Sequence, residues 1–251
     1  MFGIFRFSAL GPTLFTCMAT LVMASYMPAS QAALTINGTR VVFESDKRSV
    51  SLIVTNPGTS VYAVQTWINT ATDDTTTAVP FISSPPLFRL DGGKEQQVQI
   101  NGLPNELPKD RESLFYFNVQ EIPHVEAGNN GNFLNIALRS RLKLFYRPSE
   151  LKDSPAARMK DLKWSINTVS GNSLLRVDNP TPFHVSFIRI GLSGAGQQEH
   201  LSSPAMVEPM SSQTYPLSAI KASNDLRVTF SAINDYGATT PPLSASVDSK
   251  F

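Results

Sequence analysis

The stretch from residue 134 to residue 148 reads Leu-Asn-Ile-Ala-Leu-Arg-Ser-Arg-Leu-Lys-Leu-Phe-Tyr-Arg-Pro. In its first part, Leu134, Ile136 and Leu138 alternate with smaller or polar residues. Successive side chains of a β-strand point to opposite faces, so this spacing predicts a strand with three large aliphatic side chains on one face. From the residues alone, the simplest interpretation is that this face packs into the strand's own sandwich.

Similar short runs, rich in β-branched and aromatic residues, lie on both sides of this stretch and are separated by turn-forming residues. They are residues 49–55, 61–68, 96–100, 114–119, 133–146, 162–167, 173–177, 184–190, 213–217 and 226–232. No long amphipathic helix is visible in the first 150 residues. Short strands at turn-punctuated intervals predict an all-β fold built of antiparallel sandwiches.

A polar, proline-flanked segment at residues 148–155 interrupts the strand pattern and predicts a linker. The chain is therefore predicted to carry two β-sandwich domains, residues 33–150 and residues 151–251. Each is about as long as an ordinary domain with a hydrophobic core of its own.

The first 32 residues are predicted to form a secretory signal peptide. A single basic residue, Arg6, precedes an apolar stretch over residues 14–27, and small residues follow it up to Ala32. This order of features is typical of a cleaved signal, and we place cleavage after Ala32. The alternative is an uncleaved membrane anchor, but the apolar run is short for a span of about 20 residues.

The composition excludes several classes of site. The one cysteine, Cys17, lies in the predicted signal peptide, so the mature chain has no disulfide, thiol nucleophile or cysteine metal site. Without Arg6, 20 basic residues balance 20 acidic residues (21 minus one against 20). A neutral chain gives no field for nucleic acid or for an anionic membrane. No later apolar stretch is long enough for stable membrane insertion.

No catalytic motif is visible. The three histidines, His124, His184 and His200, are isolated and have no metal-ligand spacing. Residues 191–194 do not fit the Gly-x-Ser-x-Gly pattern of a nucleophile elbow, and no glycine-rich phosphate loop is present. We therefore predict that the chain is not an enzyme and uses no cofactor and no metal.

Several segments resemble, in the same order, those of the periplasmic fimbrial chaperones of the chaperone–usher pathway. The matching segments are residues 38–43, 85–90, 111–118, 121–123, 134–148, 179–183 and 233–237. The resemblance implies two immunoglobulin-like sandwiches set at an angle, with a cleft between them. It also implies a periplasmic chaperone that binds pilus subunits by donor-strand complementation and delivers them to an outer-membrane usher.

The resemblance also assigns roles to particular residues. Leu134, Ile136 and Leu138 match residues that point outward and fill the groove of a subunit, while main-chain groups pair as an added strand. Arg40 and Lys143 match paired cations that hold the terminal carboxylate of the subunit. Strict alternation puts Lys143 on the opposite face from Leu138, so we predict a twist or bulge between them.

Three further residues match an ionic network between the domains: Glu112, Arg147 and Asp235. We expect this network to orient the domains rather than to add net stability, because buried ion pairs often gain little. Residues 124–132 are short and turn-rich, which resembles the short-loop branch of the family. An exposed strand is also a pairing hazard, so self-capping as a homodimer is a further implication.

Two other functions compete with the chaperone interpretation. A structural pilus subunit is typically a single incomplete domain, often with a cysteine pair, and neither feature is predicted here. A carbohydrate-binding sandwich usually displays exposed aromatic residues. With only Trp67 and Trp164 as tryptophans, the sequence shows no such platform.

Overall fold

The computed structural model describes residues 34–74, 76–123, 136–194, 196–221 and 225–250. The predicted signal peptide, Leu134 and the turn-rich segment 124–132 lie outside the described residues. Within the described ranges, no helix is long and apolar enough to cross a membrane.

The first half of the chain forms two facing sheets. Its strands are β1 (Thr35–Ile36), β2 (Arg40–Glu44), β3 (Ser49–Thr55), β4 (Tyr62–Asn69), β5 (Phe81–Ser84), β6 (Leu87–Leu90), β7 (Glu95–Gly102), β8 (Ser113–Pro123) and β9 (Arg139–Arg147). One sheet has the order β1-β3-β7-β5 and the other the order β2-β9-β8-β4-β6. All pairs are antiparallel except β2 and β9, which run parallel.

The second half begins with a short helix, α1 (Pro155–Arg158), and a 3-10 turn (Met159–Asp161), and then forms two more sheets. Its strands are β10 (Lys163–Val169), β11 (Asn172–Asn179), β12 (Phe187–Gly194), β13 (Gln197–Ser202), β14 (Ser211–Pro216), β15 (Arg227–Ala232), β16 (Leu243–Ser246) and β17 (Asp248–Lys250). The sheet orders are β14-β11-β10-β17 and β13-β12-β15-β16. The prediction of an all-β fold with two sandwiches is confirmed.

Each sandwich has a hydrophobic core of its own. The first core includes Val98, Phe117 and Leu144, and the second is built around residues such as Ile166 and Leu175. All five side chains are fully buried. Alternation along each strand sends every second side chain into one of these two cores, and this explains the period-2 pattern in the sequence.

Leu144 provides a direct test of the first core because it lies on β9 and is fully buried. Replacing Leu144 by Ala leaves a cavity, and we expect a loss of about 2–5 kcal/mol in the free energy of unfolding. Urea unfolding of the mature chain measures this loss. The control is Val169→Ala on the exposed end of β10, which should change the free energy by less than about 0.5 kcal/mol. Equal stability of the two variants would contradict the assignment of the core.

Candidate functional site

Strand β9 has a different environment at its two ends. It pairs with β8 over all but its last residue, from Arg139 opposite Gln120 to Tyr146 opposite Ser113. On its other side β2 pairs only with the second part, starting where Arg40 lies beside Lys143. Among the described strands, therefore, none pairs with β9 on that side over residues 139–142. This part of β9 is a free strand edge.

The aliphatic residues at alternate positions from Ile136 to Leu144 differ in exposure on the two sides of residue 139, where β9 begins. Leu142 and Leu144 lie on the inner face of β9 and are buried in the sandwich. Leu138 and Ile136 have the same parity but precede the strand, and they are 48% and 60% exposed. The interpretation that the aliphatic face packs into the strand's own sandwich is therefore wrong for Ile136 and Leu138. Exposed aliphatic side chains of this size, next to a free edge, are typical of a surface that binds a partner.

Of the twist or bulge predicted between Leu138 and Lys143, the bulge is wrong. The register between β8 and β9 is continuous from Arg139 to Tyr146. The amide of Glu121 extends it by one residue, since it donates to the carbonyl of Leu138 at 3.0 Å. Lys143 and Leu138 therefore lie on opposite faces of a regular strand. The aliphatic residues and the cation lie on opposite faces of the strand. They need not share a face, so no bulge is required.

Arg40 and Lys143 are register partners on β2 and β9, so the two cations lie side by side. Lys143 Nζ donates to Ser186 Oγ at 3.2 Å, and Arg40 Nη1 donates to the carbonyl oxygen of Ile233 at 3.0 Å. Both acceptors belong to the second sandwich. In the part of the chain that the structure describes, neither cation forms a salt bridge.

The surroundings of this pair disfavour its positive charges. Burial lowers the pKa of Lys143, and repulsion by Arg40 lowers it further. Burial also lowers the pKa of Arg40, while the nearby carboxylates of Asp235 and Glu112 partly offset this effect. The buried Nε of Arg40 has no hydrogen-bond partner among the described residues. An anion placed here would accept hydrogen bonds and relieve the repulsion.

Arg147, at the end of β9, connects the two sandwiches. Its Nε donates to Glu112 Oε1 at 2.8 Å, and Nη1 and Nη2 form a bidentate pair with Asp235, each at 2.8 Å. Glu112 immediately precedes β8, whereas Asp235 lies between β15 and β16. Burial alone would lower the pKa of Arg147, but the hydrogen bonds and charges of the two carboxylates raise it. The structure thus brings together all three residues of the predicted network.

His184 is a fourth member of this group that the sequence reasoning missed. Glu112 Oε2 accepts the backbone N–H of His184 at 2.8 Å and lies 3.0 Å from its Nδ1. The imidazole ring packs against Phe145 of β9, with ring centroids 5.3 Å apart. A signal was available, because His184 directly follows the recognised segment 179–183. Its partner Glu112 is 72 residues away in sequence, so spacing could not reveal the contact.

The charges at this junction do not balance. Arg40, Lys143 and Arg147 contribute three positive charges, whereas Glu112 and Asp235 contribute two negative charges. Both carboxylates are bound to Arg147. One positive charge therefore remains in excess, at the pair formed by Arg40 and Lys143. No cluster of three or more His, Cys, Asp or Glu side chains within the described ranges could hold a metal ion.

Comparison with known proteins identifies the family. Residues 33–152 match the model of the pili and flagellar-assembly chaperone PapD N-terminal domain, and residues 157–243 match the pili assembly chaperone PapD C-terminal domain. The chain is 37% identical over 230 residues to the probable fimbrial chaperone YadV of Escherichia coli K12, covering 88% of this chain and 91% of YadV. It therefore belongs to the family of PapD-like pili assembly chaperones.

One further relative and one solved structure support the same family. The chaperone protein PapD of Escherichia coli is 37% identical over 218 residues, covering 86% of this chain and 87% of PapD. The crystal structure of the YadV chaperone superposes with a TM-score of 0.74 at 35% identity, covering 86% of this chain and all of that one. The immunoglobulin-like fold implied by the resemblance is confirmed. So is the prediction that the chain is a fimbrial chaperone and not an enzyme.

Replacing Arg147 by Ala tests the connection between the sandwiches. The change leaves the carboxylate of Glu112, whose side chain is 1% exposed, without its cation. We expect a loss of about 3–5 kcal/mol in the free energy of unfolding, because an unpaired buried charge is costly. We also expect small-angle scattering to report a changed arrangement of the two sandwiches.

The matched control is Arg176→Ala, which removes a solvent-exposed pair with Asp178. Exposed pairs contribute little, so the control should lose less than about 1 kcal/mol and keep its scattering profile. If Arg147→Ala scatters like the wild type, Arg147 does not orient the sandwiches.

Proposed function

We propose that the chain is a periplasmic chaperone that binds pilus subunits by donor-strand complementation. In this process the chaperone lends a strand to a subunit whose own sandwich lacks one. The observation that carries the proposal is the free edge of β9. It is preceded by the exposed Ile136 and Leu138, and it ends at the cation pair of Lys143 and Arg40. Membership of the PapD-like family supports the same function.

The direction of the bound strand follows from this geometry. A subunit strand on the free edge of β9 lies in line with β2, at the position where β2 is not paired. If its terminal carboxylate binds Lys143, the strand extends back toward Leu138 and thus runs parallel to β9, as β2 does. From Leu138 to Lys143 the distance is about 17 Å, at about 3.3 Å per residue. The carboxylate contact therefore fixes the register of the added strand.

The aliphatic side chains and the cations have separate tasks in this proposal. Ile136 and Leu138, with Leu134 as the third predicted member, enter the groove of the subunit. Each contributes roughly 1.5–3 kcal/mol when it leaves water. Arg40 and Lys143 bind the terminal carboxylate, and its single negative charge matches the excess positive charge at the junction. Affinity thus comes mainly from the aliphatic residues and register from the cations.

Arg147, Glu112 and Asp235 are proposed to orient the two sandwiches. Arg40 and Lys143 belong to the first sandwich, while their hydrogen-bond acceptors belong to the second. A change in the relative position of the sandwiches would therefore separate the cations from these acceptors. The buried ion pairs gain little net stability, so orientation is the more important part of their role.

The remaining parts of the proposal concern location and partners. A periplasmic location follows from the predicted signal peptide at residues 1–32. Delivery to an outer-membrane usher follows from the resemblance to chaperones of the chaperone–usher pathway. For the free protein we propose a homodimer in which two exposed donor segments cap each other, because unpaired strand edges readily pair.

The competing functions have no comparable support. Two sandwiches with separate cores do not fit a single incomplete pilus-subunit domain. Trp164 is buried, and Trp67 is covered by the guanidinium of Arg139, whose Cζ lies 4.9 Å from the ring centroid. Neither tryptophan therefore offers a flat, open face for a sugar ring.

Co-expression with candidate pilus subunits in the periplasm tests the proposal. Wild-type chain should recover soluble subunit in a one-to-one complex. Lys143→Ala and Arg40→Ala should each weaken binding by about tenfold or more, because each removes hydrogen bonds to a charged group. The control Lys163→Ala removes an exposed lysine of β10 in the second sandwich and should bind as well as the wild type.

The outcomes separate the two parts of the proposal. If the two cation variants fold and bind like the wild type, the carboxylate site is assigned wrongly. If the wild-type chain recovers no subunit at all, the chaperone function itself fails for the subunits tested, and only the fold and family remain.

A further inference from the structure

The second sandwich provides the hydrogen-bond acceptors for both cations of the first. Ser186 Oγ accepts from Lys143 Nζ at 3.2 Å, and the carbonyl of Ile233 accepts from Arg40 Nη1 at 3.0 Å. Ser186 precedes β12, and Ile233 follows β15. Each cation is thus held across the junction by one acceptor.

The two acceptors are joined to each other. The backbone N–H of Ile233 donates to the carbonyl oxygen of Ser186 at 2.9 Å. On one side of Ser186, Val185 exchanges two backbone hydrogen bonds with Val207, at 3.0 and 3.1 Å. On the other side, Phe187 pairs with Ala232. Backbone hydrogen bonds therefore link Ser186 and Ile233, so the two acceptor residues cannot move independently.

Acceptors at fixed positions stabilise the two cations in place, first for an electrostatic reason. Like charges repel, and the repulsion between Arg40 and Lys143 is stronger because both are partly buried. A long lysine side chain also has many rotamers, and holding it in one of them costs conformational entropy. An acceptor at a fixed position opposes both effects. Ser186 is itself buried, and its carbonyl accepts the backbone N–H of Ile233, so its backbone lies at a fixed position.

We propose that Ser186 is a positioning residue that holds Lys143 in place for the carboxylate of the bound subunit. This inference rests on the proposed chaperone function. It makes the anchor a site of both sandwiches: the first provides the charges and the second fixes where they lie. The hydroxyl acts through Lys143, and no contact between Ser186 and the subunit is required.

Other charged and titratable groups surround Lys143. Arg40 lies beside it on β2, and Tyr116 lies opposite it on β8. Asp235 and Glu112 act on Arg40 from the adjoining network. None of the ion pairs of that network includes Lys143, so Ser186→Ala should change the lysine without breaking the connection between the sandwiches.

The first test measures affinity for a pilus subunit by calorimetry. Ser186→Ala should bind about tenfold more weakly than the wild type, because Lys143 is then free before binding and must lose its side-chain entropy when the carboxylate binds. Ser186→Thr keeps the hydroxyl and should restore most of the affinity. In a Lys143→Met background, where the partner of Ser186 is absent, Ser186→Ala should cause no further loss. Equal losses in both backgrounds, or no loss in either, would overturn the proposal.

The second test uses the free protein and needs no subunit. The ammonium of Lys143 donates to Ser186, so removing the hydroxyl destabilises the charged form and should lower the Lys143 pKa further. An NMR titration of the lysine side chain measures this shift in Ser186→Ala. The carboxylate binds the protonated amine, so subunit affinity should also begin to fall at a lower pH in this variant.

The matched control is Ser173→Ala, which removes a buried serine at the start of β11. It should leave the Lys143 pKa and the subunit affinity unchanged. An unchanged Lys143 pKa in Ser186→Ala would refute the positioning role, whereas failure of the wild-type chain to bind any subunit would refute the proposed function. The two failures are therefore distinguishable.

Discussion

The function proposed for this chain depends on the uneven pairing of β9. Among the described strands, residues 143–146 of β9 have partners on both sides, while residues 139–142 pair with β8 alone. A strand with backbone groups paired on one side only is a template for another strand. β2 begins at Arg40, and this first residue thus sets both the length of the free edge and the point at which an added strand must stop. Arg40 and Lys143 lie at that point.

The second sandwich contributes to the site although it provides neither the free edge nor the cations. Asp235 binds Arg147, and His184 provides a backbone donor for Glu112. These contacts hold the second sandwich against the end of β9, and the acceptors Ser186 and Ile233 then meet the two cations. In the proposed function, recognition of the carboxylate is therefore coupled to the arrangement of the sandwiches. This coupling gives a physical reason for a chaperone with two domains when the donor strand belongs to one of them.

The sequence predicted the fold class well because alternation of side chains is a local property. It also singled out Arg40, Lys143 and the three residues of the ionic network as candidate site residues. It did so through their match to family motifs rather than through geometry. Convergence of the network could not be derived from spacing, since Arg147 is 35 residues from Glu112 and 88 residues from Asp235. Ser186 was missed because a serine in a strand-rich segment has no distinctive pattern.

Of the predicted twist or bulge, the bulge was wrong for a physical reason. It assumed that aliphatic residues and cations must share a face of β9, whereas the regular register puts Leu138 and Lys143 on opposite faces. In the proposed complex a subunit can meet both, because Ile136 and Leu138 enter its groove while its terminal carboxylate lies beside Lys143, at the end of the added strand. The prediction that side chains alternate along β9 was therefore right. The assumption that the aliphatic residues and the cations share a face was not.

We propose above all that the excess positive charge of Arg40 and Lys143, at the end of the free edge of β9, recognises a terminal carboxylate. The most direct measurement compares a synthetic peptide from the C-terminal segment of a pilus subunit, as free acid and as C-terminal amide, by titration calorimetry with the mature chain. The free acid should bind at least about tenfold more tightly, because the amide removes the negative charge and keeps the strand. Equal affinities for the two peptides would contradict it.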